Sequence, residues 1–203
     1  RKDAPYHPLL KKMQPVRKPD DEQVFELPET FVALSREPAA ESYVKRVNAY
    51  DAYLSGRVDI RYDFRMNRVV YLIKDGRKTV DAAGRSLANI KPKWWRYGKS
   101  GNPFICGASR IGVVLEDCAS ACSVSNILSG IALLGTNLQD SHLPFLRRYD
   151  RLLVALDKDA TQKAFQLVRQ LQAHRPTSLV VLNKDVKDMT DDERRHTFQK
   201  YID

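Results

Sequence analysis

The second half of the chain alternates short, continuous apolar runs with stretches that have helical spacing. The runs are IGVVL (111–115), LLVAL (152–156) and SLVVL (178–182). The segment CASACSVSNILSGIAL (118–133), whose small residues suit a closely packed helix, lies between the first two, and an amphipathic segment, TQKAFQLVRQLQAH, lies between the last two. A uniformly apolar strand is covered on both faces, as in the parallel sheets of βαβ units. This pattern predicts an α/β fold with a mostly parallel sheet flanked by helices.

The first half has a different rhythm. Residues 38–54 place apolar side chains every three or four positions, which predicts a helix. Residues 67–84 form two apolar stretches around an Asp-Gly pair, which is a β-hairpin signal. Residues 88–107 mix cationic and aromatic side chains with Gly and Pro and predict a surface loop, and residues 1–30 predict an extended, Pro-rich lead-in.

The positive charge is concentrated in the first half. The formal net charge is +9, and residues 1–110 hold 22 Lys and Arg against 13 Asp and Glu, whereas residues 111–203 hold 12 of each. This asymmetry favours a basic lobe that faces a polyanion, with an acidic function elsewhere, over a uniformly basic surface. Because no stretch approaches the roughly 20 apolar residues of a membrane span, we expect an intracellular protein with no membrane partner. The chain does not begin with Met, so we expect a piece of a longer polypeptide.

Acidic residues follow all three apolar runs. Glu116 ends the first, Asp157 and Asp159 follow the second, and Asp185 and Asp188 follow the third. In an open parallel sheet, functional groups gather beyond the carboxyl ends of the strands. Each acid alone could be a helix cap or a solvated turn residue, but carboxylates that crowd one edge call for a positive partner. The sequence therefore predicts a site for Mg²⁺ or Mn²⁺ and a substrate that carries phosphate.

The predicted loop combines cations with rings that could stack on bases. Lys93, Arg96 and Lys99 alternate there with Trp94 and Trp95, a mixture suited to single-stranded nucleic acid. Aromatic core residues beside Lys and Arg stems are the alternative.

Other catalytic formats fit poorly. The stretch GKS at 98–100 echoes a P-loop, but the pattern requires Gly where this chain has Lys93. The four His residues are scattered outside known catalytic motifs, and the three Cys residues fit neither a disulfide framework nor a zinc site, so we expect reduced thiols.

The acidic elements resemble a known family. Glu116 at the end of a strand, Asp-Lys-Asp at 157–159 and KDVKDM at 184–189 resemble the toprim domain, and the segment 130–164 closely resembles the version found in primases. YVKR at 43–46, NRVVYLIKDGRKTVDAAGRSL at 67–87 and PKWWRYGKSGNPFICG at 92–107 also resemble primase elements. Over about residues 40–190 the chain is thus similar to the RNA polymerase core of bacterial or phage primases.

The resemblance implies a basic α+β primase subdomain over residues 1–107, including the lead-in, and a toprim catalytic domain over 108–203. The implied activity is the copying of single-stranded DNA into short RNA primers from ribonucleoside triphosphates. A replicative helicase in cis or in trans is an implied partner, and the cytoplasm of a bacterial or phage-infected cell is the implied location.

The resemblance also assigns roles to residues. Glu116, Asp157 and Asp159 fall on catalytic and metal-binding acids, and Asp185 and Asp188 on a further acidic pair that binds metal. The basic residues expected to bind template or nucleotide are Arg46, Arg68, Arg85 and Lys93, together with Arg96 and Lys99 of the predicted loop.

The chain departs from the family at the first acid. Asp117 stands where the family has Gly, and Ser120 stands where it has a second acid, which puts one metal contact in question and suggests a divergent, phage-like member. Two alternatives stay open. One is a toprim nuclease or topoisomerase-like fragment that cleaves DNA, and the other is a non-catalytic module that binds nucleic acid.

Overall fold

The computed structural model describes residues 24–202, so most of the predicted lead-in lies outside the described residues. The strands of the first sheet are β1 (Phe31–Ala33), β2 (Ile60–Asp63), β3 (Arg68–Asp75), β4 (Lys78–Ser86) and β5 (Trp94–Arg96). They follow one another in chain order across the sheet, and all neighbours are antiparallel.

The second sheet contains β6 (Phe104–Cys106), β7 (Ile111–Leu115), β8 (Ser129–Ala132), β9 (Arg151–Val154) and β10 (Thr177–Leu179). Their order is β10-β9-β7-β8-β6, and every pair is parallel except β6 with β8. The predicted mixed α/β class, with one largely parallel sheet, is therefore confirmed.

Six α-helices accompany the two sheets in the described part of the chain. They are α1 (Pro38–Arg46), α2 (Tyr50–Leu54), α3 (Cys118–Val124), α4 (Leu143–Leu146), α5 (Thr161–Gln172) and α6 (Asp191–Gln199). The single helix predicted over 38–54 is wrong, because Asn48 has a φ of 58° and separates α1 from α2. None of the helices in residues 24–202 combines the length and apolar character needed to cross a membrane.

The hairpin β3–β4 is the predicted one, and β3 explains the core of the first sheet. Val69, Tyr71 and Ile73 contribute to a large core cluster on one face, while Val70 and Leu72 pack on the other. The alternation follows from the two-residue period of a strand, and burial on both faces fits the continuous apolar sequence.

Two sequence interpretations are corrected. The predicted loop 88–107 contains β5 and β6, and the stretch that follows α3, which was expected to extend a closely packed helix, contains β8. Because β6 precedes residue 108 yet pairs within the second sheet, the proposed boundary between residues 107 and 108 does not coincide with the division between the sheets. The division into two domains stays a prediction, since one core cluster includes residues from both sheets.

Candidate active site

The parallel sheet brings acids from three strands to one cleft. Glu116 follows β7, Asp157 lies three residues after β9, and Asp185 and Asp188 lie in the segment after β10. Since β7, β9 and β10 are parallel neighbours, their carboxyl ends meet at the same edge. All four acids line a cleft of about 550 Å³.

Asp159 is placed differently from the other predicted acids. In a strand that continued through both residues, Asp157 and Asp159 would face the same way, but β9 ends at Val154 and Lys158–Ala160 form a 3-10 turn. Asp159 is exposed and does not line the cleft. Its predicted role in catalysis and metal binding stays a prediction.

The two central acids have shifted acidities. Burial raises the pKa of Glu116 above its ordinary value, and the negative charges of Asp157 and Asp117 add to the effect. The pKa of Asp157 is also raised, mainly by burial and with Asp185 contributing, although the charge of Lys187 opposes this shift. Half-buried carboxylates whose pKa is raised by burial and by neighbouring negative charge are suited to bind a cation or to hold a proton.

Four cationic and aromatic residues of the predicted loop line the same cleft as the acids. Lys93, Trp94, Trp95 and Arg96 contribute to its lining. Trp95 is largely accessible to solvent, with 44% of its surface exposed. Part of the loop that was expected to bind nucleic acid thus lines the same cleft as the acids at the strand ends.

Buried charges in the first sheet hold this part of the chain in place. Asp81, which is fully buried, accepts from Arg96 Nε at 2.7 Å, from the backbone N–H of Gly98 at 2.7 Å and from the hydroxyl of Ser100 at 2.9 Å. Sequence reasoning missed Asp81, because its position in a strand gives no sign that it will receive the Arg96 guanidinium.

Arg68 is also a buried charge, with 3% of its surface exposed. Its guanidinium donates to the carbonyl oxygens of Gly84 at 3.1 Å, Pro92 at 2.8 Å and Lys93 at 3.3 Å. In this structure Arg68 positions the backbone that carries Lys93, and it does not line the cleft.

The remaining predicted basic residues lie outside the lining of the cleft. Arg46 and Lys99 are exposed, and Arg85 is half-buried. The Arg46 guanidinium stacks over the ring of Tyr43, with 5.4 Å between the guanidinium carbon and the ring centroid. Contacts of these residues with template or nucleotide stay predictions.

A residue that the sequence analysis did not single out lies among the acids. The Lys187 ammonium donates to Asp117 Oδ2 at 2.8 Å, and both residues line the cleft. The motif KDVKDM showed a lysine there, but its spacing did not reveal which carboxylate the lysine would meet.

The donor set of the cleft fits a hard divalent ion that is shared with a substrate. Within residues 24–202, no group of three or more His, Cys, Asp and Glu side chains is arranged to hold a metal ion. Mg²⁺ usually takes only one or two carboxylates and completes its coordination with water and substrate phosphates. Glu116, whose pKa the charge of Asp157 helps to raise, and Asp157 itself therefore suit an ion that binds together with a nucleotide.

Solved structures of other proteins share the fold of this chain. No protein-family model and no curated protein sequence matches the chain. Among solved structures, the DnaG catalytic core matches with a TM-score of 0.62 at 17% identity, over 83% of this chain and 74% of that one. The E. coli primase catalytic core matches with a TM-score of 0.61 at 17% identity, over 82% and 74%.

A third solved structure is a DnaG primase catalytic domain bound to single-stranded DNA. It matches with a TM-score of 0.53 at 18% identity, over 83% of this chain and 60% of that one. The chain is thus a mixed α/β protein with an acidic cleft at the edge of a parallel sheet. Its fold is that of the catalytic core of bacterial-type primases.

Proposed function

We propose that this chain is the RNA-polymerising core of a DNA primase and copies single-stranded DNA into short RNA primers by nucleotidyl transfer. The observation that carries the proposal is a single cleft that acids from three parallel strands line together with Lys93, Arg96 and Trp95. The likeness in fold to primase cores, one of them bound to single-stranded DNA, supports it. On this proposal the second sheet belongs to a toprim domain and the first to a basic primase subdomain.

The chemistry asks mainly for positioning and for neutralisation of charge, because little covalent work is left to the protein in phosphoryl-type transfer. Glu116 and Asp157, with Asp185 nearby, would hold Mg²⁺ or Mn²⁺, which supplies positive charge beside the triphosphate. Lys93, which is exposed in the lining of the cleft, would bind phosphate oxygens of template or nucleotide, and Arg96 would add the part of its guanidinium that Asp81 does not occupy.

The proton of the attacking 3′-hydroxyl also needs an acceptor. Glu116 is a candidate, because its raised pKa brings it closer to the range in which a carboxylate accepts a proton effectively. The exposed ring of Trp95 offers a surface on which a template base can stack.

A primer-synthesis assay tests the proposal. The protein is incubated with single-stranded DNA, labelled ribonucleoside triphosphates and Mg²⁺ or Mn²⁺, and products are resolved by length. We expect short RNA from the wild type and a loss of about 100-fold or more in Glu116→Gln and Asp157→Asn, the scale expected when a charge-stabilising group is removed from an active site. Asp192→Asn is the control, because Asp192 is exposed and does not line the cleft.

The other classes of protein give different results in the same experiment. DNA nicking without RNA synthesis would indicate a toprim nuclease or topoisomerase-like fragment. Priming or DNA binding that Asp157→Asn leaves unchanged would indicate a non-catalytic module whose acids are structural. The same proposal includes a phage-like origin, a helicase partner and a cytoplasmic location. All three depend on the priming activity.

A further inference from the structure

The ion pair between Lys187 and Asp117 lies inside the proposed active site. Only 17% of the Lys187 side chain and 14% of the Asp117 side chain are exposed. Both residues line the same cleft as Glu116, Asp157 and Asp185. An ammonium group thus lies among carboxylates, in the kind of position that a metal ion otherwise takes.

Both partners are held by the surrounding backbone. Asp117 caps the N-terminus of α3, where its carboxylate accepts from the N–H of Ser120 at 2.9 Å. The carbonyl oxygen of Lys187 accepts from Asn48 Nδ2 at 2.7 Å, and this contact ties the segment after β10 to the residue between α1 and α2. Because both residues are already anchored, their side chains lose little further conformational entropy when the ion pair forms.

The next residues anchor this segment further. Arg194, which is buried, donates to the carbonyl oxygen of Val186 at 3.2 Å and also hydrogen-bonds to that of Met189. The backbone is therefore held on both sides of Lys187. The ammonium is part of the built structure of the cleft and not the end of a mobile surface chain.

The pKa shifts around Lys187 show which carboxylates interact with its ammonium group. Burial alone would lower the pKa of Lys187, but the negative charges of Asp117, Asp157 and Asp185 outweigh it and raise the pKa. Conversely, the Lys187 charge lowers the pKa of Asp157 and of Glu116. One ammonium thus interacts with the charges of Glu116, Asp117, Asp157 and Asp185.

We propose that the Lys187 ammonium is a built-in counter-cation of the cleft and takes the place of one divalent ion. The inference rests on the proposed function in one respect, namely that the acids serve to bind a metal ion with a nucleotide. It agrees with the lack of any three-acid metal group within residues 24–202. It also explains Asp117, which stands where the primase pattern has Gly, as the residue that holds the ammonium in place.

Counting bound Mn²⁺ tests the inference without any need for activity. Free Mn²⁺ is measured by electron paramagnetic resonance during titration of the wild type and of Lys187→Met. We expect Lys187→Met to bind one more Mn²⁺ per chain than the wild type, because removal of the ammonium leaves its carboxylates without a cation. Equal numbers in the two proteins, or fewer in the variant, would overturn the proposal.

Two further variants make the result specific. Lys184→Met removes a lysine from the same segment, but Lys184 pairs with Glu193 at 2.7 Å and does not line the cleft, so this control should bind Mn²⁺ like the wild type. Lys187→Gln can still donate to Asp117, so it replaces Lys187→Met if thermal melting in EDTA shows that the methionine variant does not fold. It carries the same expectation of one additional ion.

The outcome is independent of whether the chain makes primers. A wild type that makes no RNA, together with a gain of one Mn²⁺ in Lys187→Gln, would remove the proposed function and keep the counter-cation. Active priming together with unchanged Mn²⁺ counts would do the reverse.

Discussion

Trp94 and Trp95 are neighbours in β5, but the structure gives them different surroundings. The Trp94 ring packs against the core, with its centroid 5.8 Å from that of the buried Tyr71. Trp95 exposes 44% of its surface beside the cleft. Both tryptophans line the cleft, but Trp94 contributes mainly to packing, whereas Trp95 leaves its ring open to a ligand.

We expect Trp95→Ala to weaken binding of an oligo-dT strand about tenfold, since base stacking on an aromatic side chain contributes roughly 1–3 kcal/mol. Its melting temperature should stay near that of the wild type. Trp94→Ala should instead lower the free energy of unfolding by about 2 kcal/mol through lost packing. Fluorescence anisotropy of labelled DNA and thermal melting provide the two measurements. Wild-type affinity in Trp95→Ala would contradict a stacking role.

His142 gives the fold a dependence on pH. It is buried, its Nδ1 accepts from the N–H of Gln139 at 3.2 Å, and its Nε2 has no hydrogen-bond partner among residues 24–202. Burial, with a contribution from the charge of Arg96, lowers its pKa to about 4. Below the ordinary pKa of about 6.5, His142 is protonated in the unfolded chain but stays neutral in the folded chain. The free energy of unfolding therefore falls as the pH drops.

The loss of stability should grow as the pH falls from 6.5 to 4 and should level off below pH 4. From pH 7.5 to pH 5 we expect His142 to remove about 2 kcal/mol from the free energy of unfolding. Urea denaturation in EDTA at both pH values measures the loss, and His142→Gln should reduce it by that amount. His196→Gln is the control, because His196 is exposed. A pH dependence that His142→Gln leaves intact would exclude this histidine as its source.

At the scale of elements, α3 and β8 approach each other unusually closely. A Cβ on Gly130 of β8 would lie within 2.5 Å of Ala121 Cα and would overlap the carbonyl group of the same residue. The small residues of α3, which read CASACSV, allow this approach. The close contact keeps α3, and therefore its cap Asp117, against the edge of the sheet.

We expect Gly130→Ala to lower the free energy of unfolding by about 3 kcal/mol or more, because backbone atoms cannot rotate away from the added methyl group. Gly76→Ala is the comparison: Gly76 has a φ of 59° but open space around it, so only backbone strain of about 1 kcal/mol is expected. Urea denaturation of both variants gives the difference. Equal losses would show that α3 can move away from β8.

The elements that sequence analysis recovered are those whose pattern is local. The strands β3, β4, β7 and β9 and the helix α5 follow from continuous or periodic apolar spacing and from a turn dipeptide. The break at Asn48 was missed, because neither its φ of 58° nor its hydrogen bond to Lys187, a residue distant in the sequence, is visible in the apolar spacing of residues 38–54. The strand β8 was missed because its small residues resemble those of α3, and only packing distinguishes the two.

The candidate site was predictable to a similar extent. The rule that parallel strands deliver side chains to one edge correctly brought Glu116, Asp157 and Asp185 together. It failed for Asp159, since the strand ended earlier than its apolar run. Lys187 and Asp81 could not be assigned, because the ion pairs that define them join separate elements.

At the scale of the whole molecule, the two sheets share a core. The largest cluster of buried side chains includes Leu34 and Val44 from the first half of the chain and Val113 and Phe198 from the second. Tyr71 of β3 meets Phe104 of β6 edge to face, with 6.0 Å between the ring centroids. Because burial of apolar surface couples the halves, we expect them to unfold together, although the sequence suggests a division at residue 107.

Phe104→Ala tests this coupling, because Phe104 is 1% exposed and joins the second sheet to Tyr71 of the first. We expect a loss of about 3 kcal/mol and a fall of the melting temperature by roughly 9 °C, given about 2–4 °C per kcal/mol for a chain of this size. Tryptophan fluorescence reports only the first sheet, since both tryptophans lie in β5, whereas far-ultraviolet circular dichroism reports both sheets. A shared core requires the two transitions to move together. Phe165→Ala, on an exposed position of α5, should move neither, and a shift in circular dichroism alone would mean that the halves fold as separate domains.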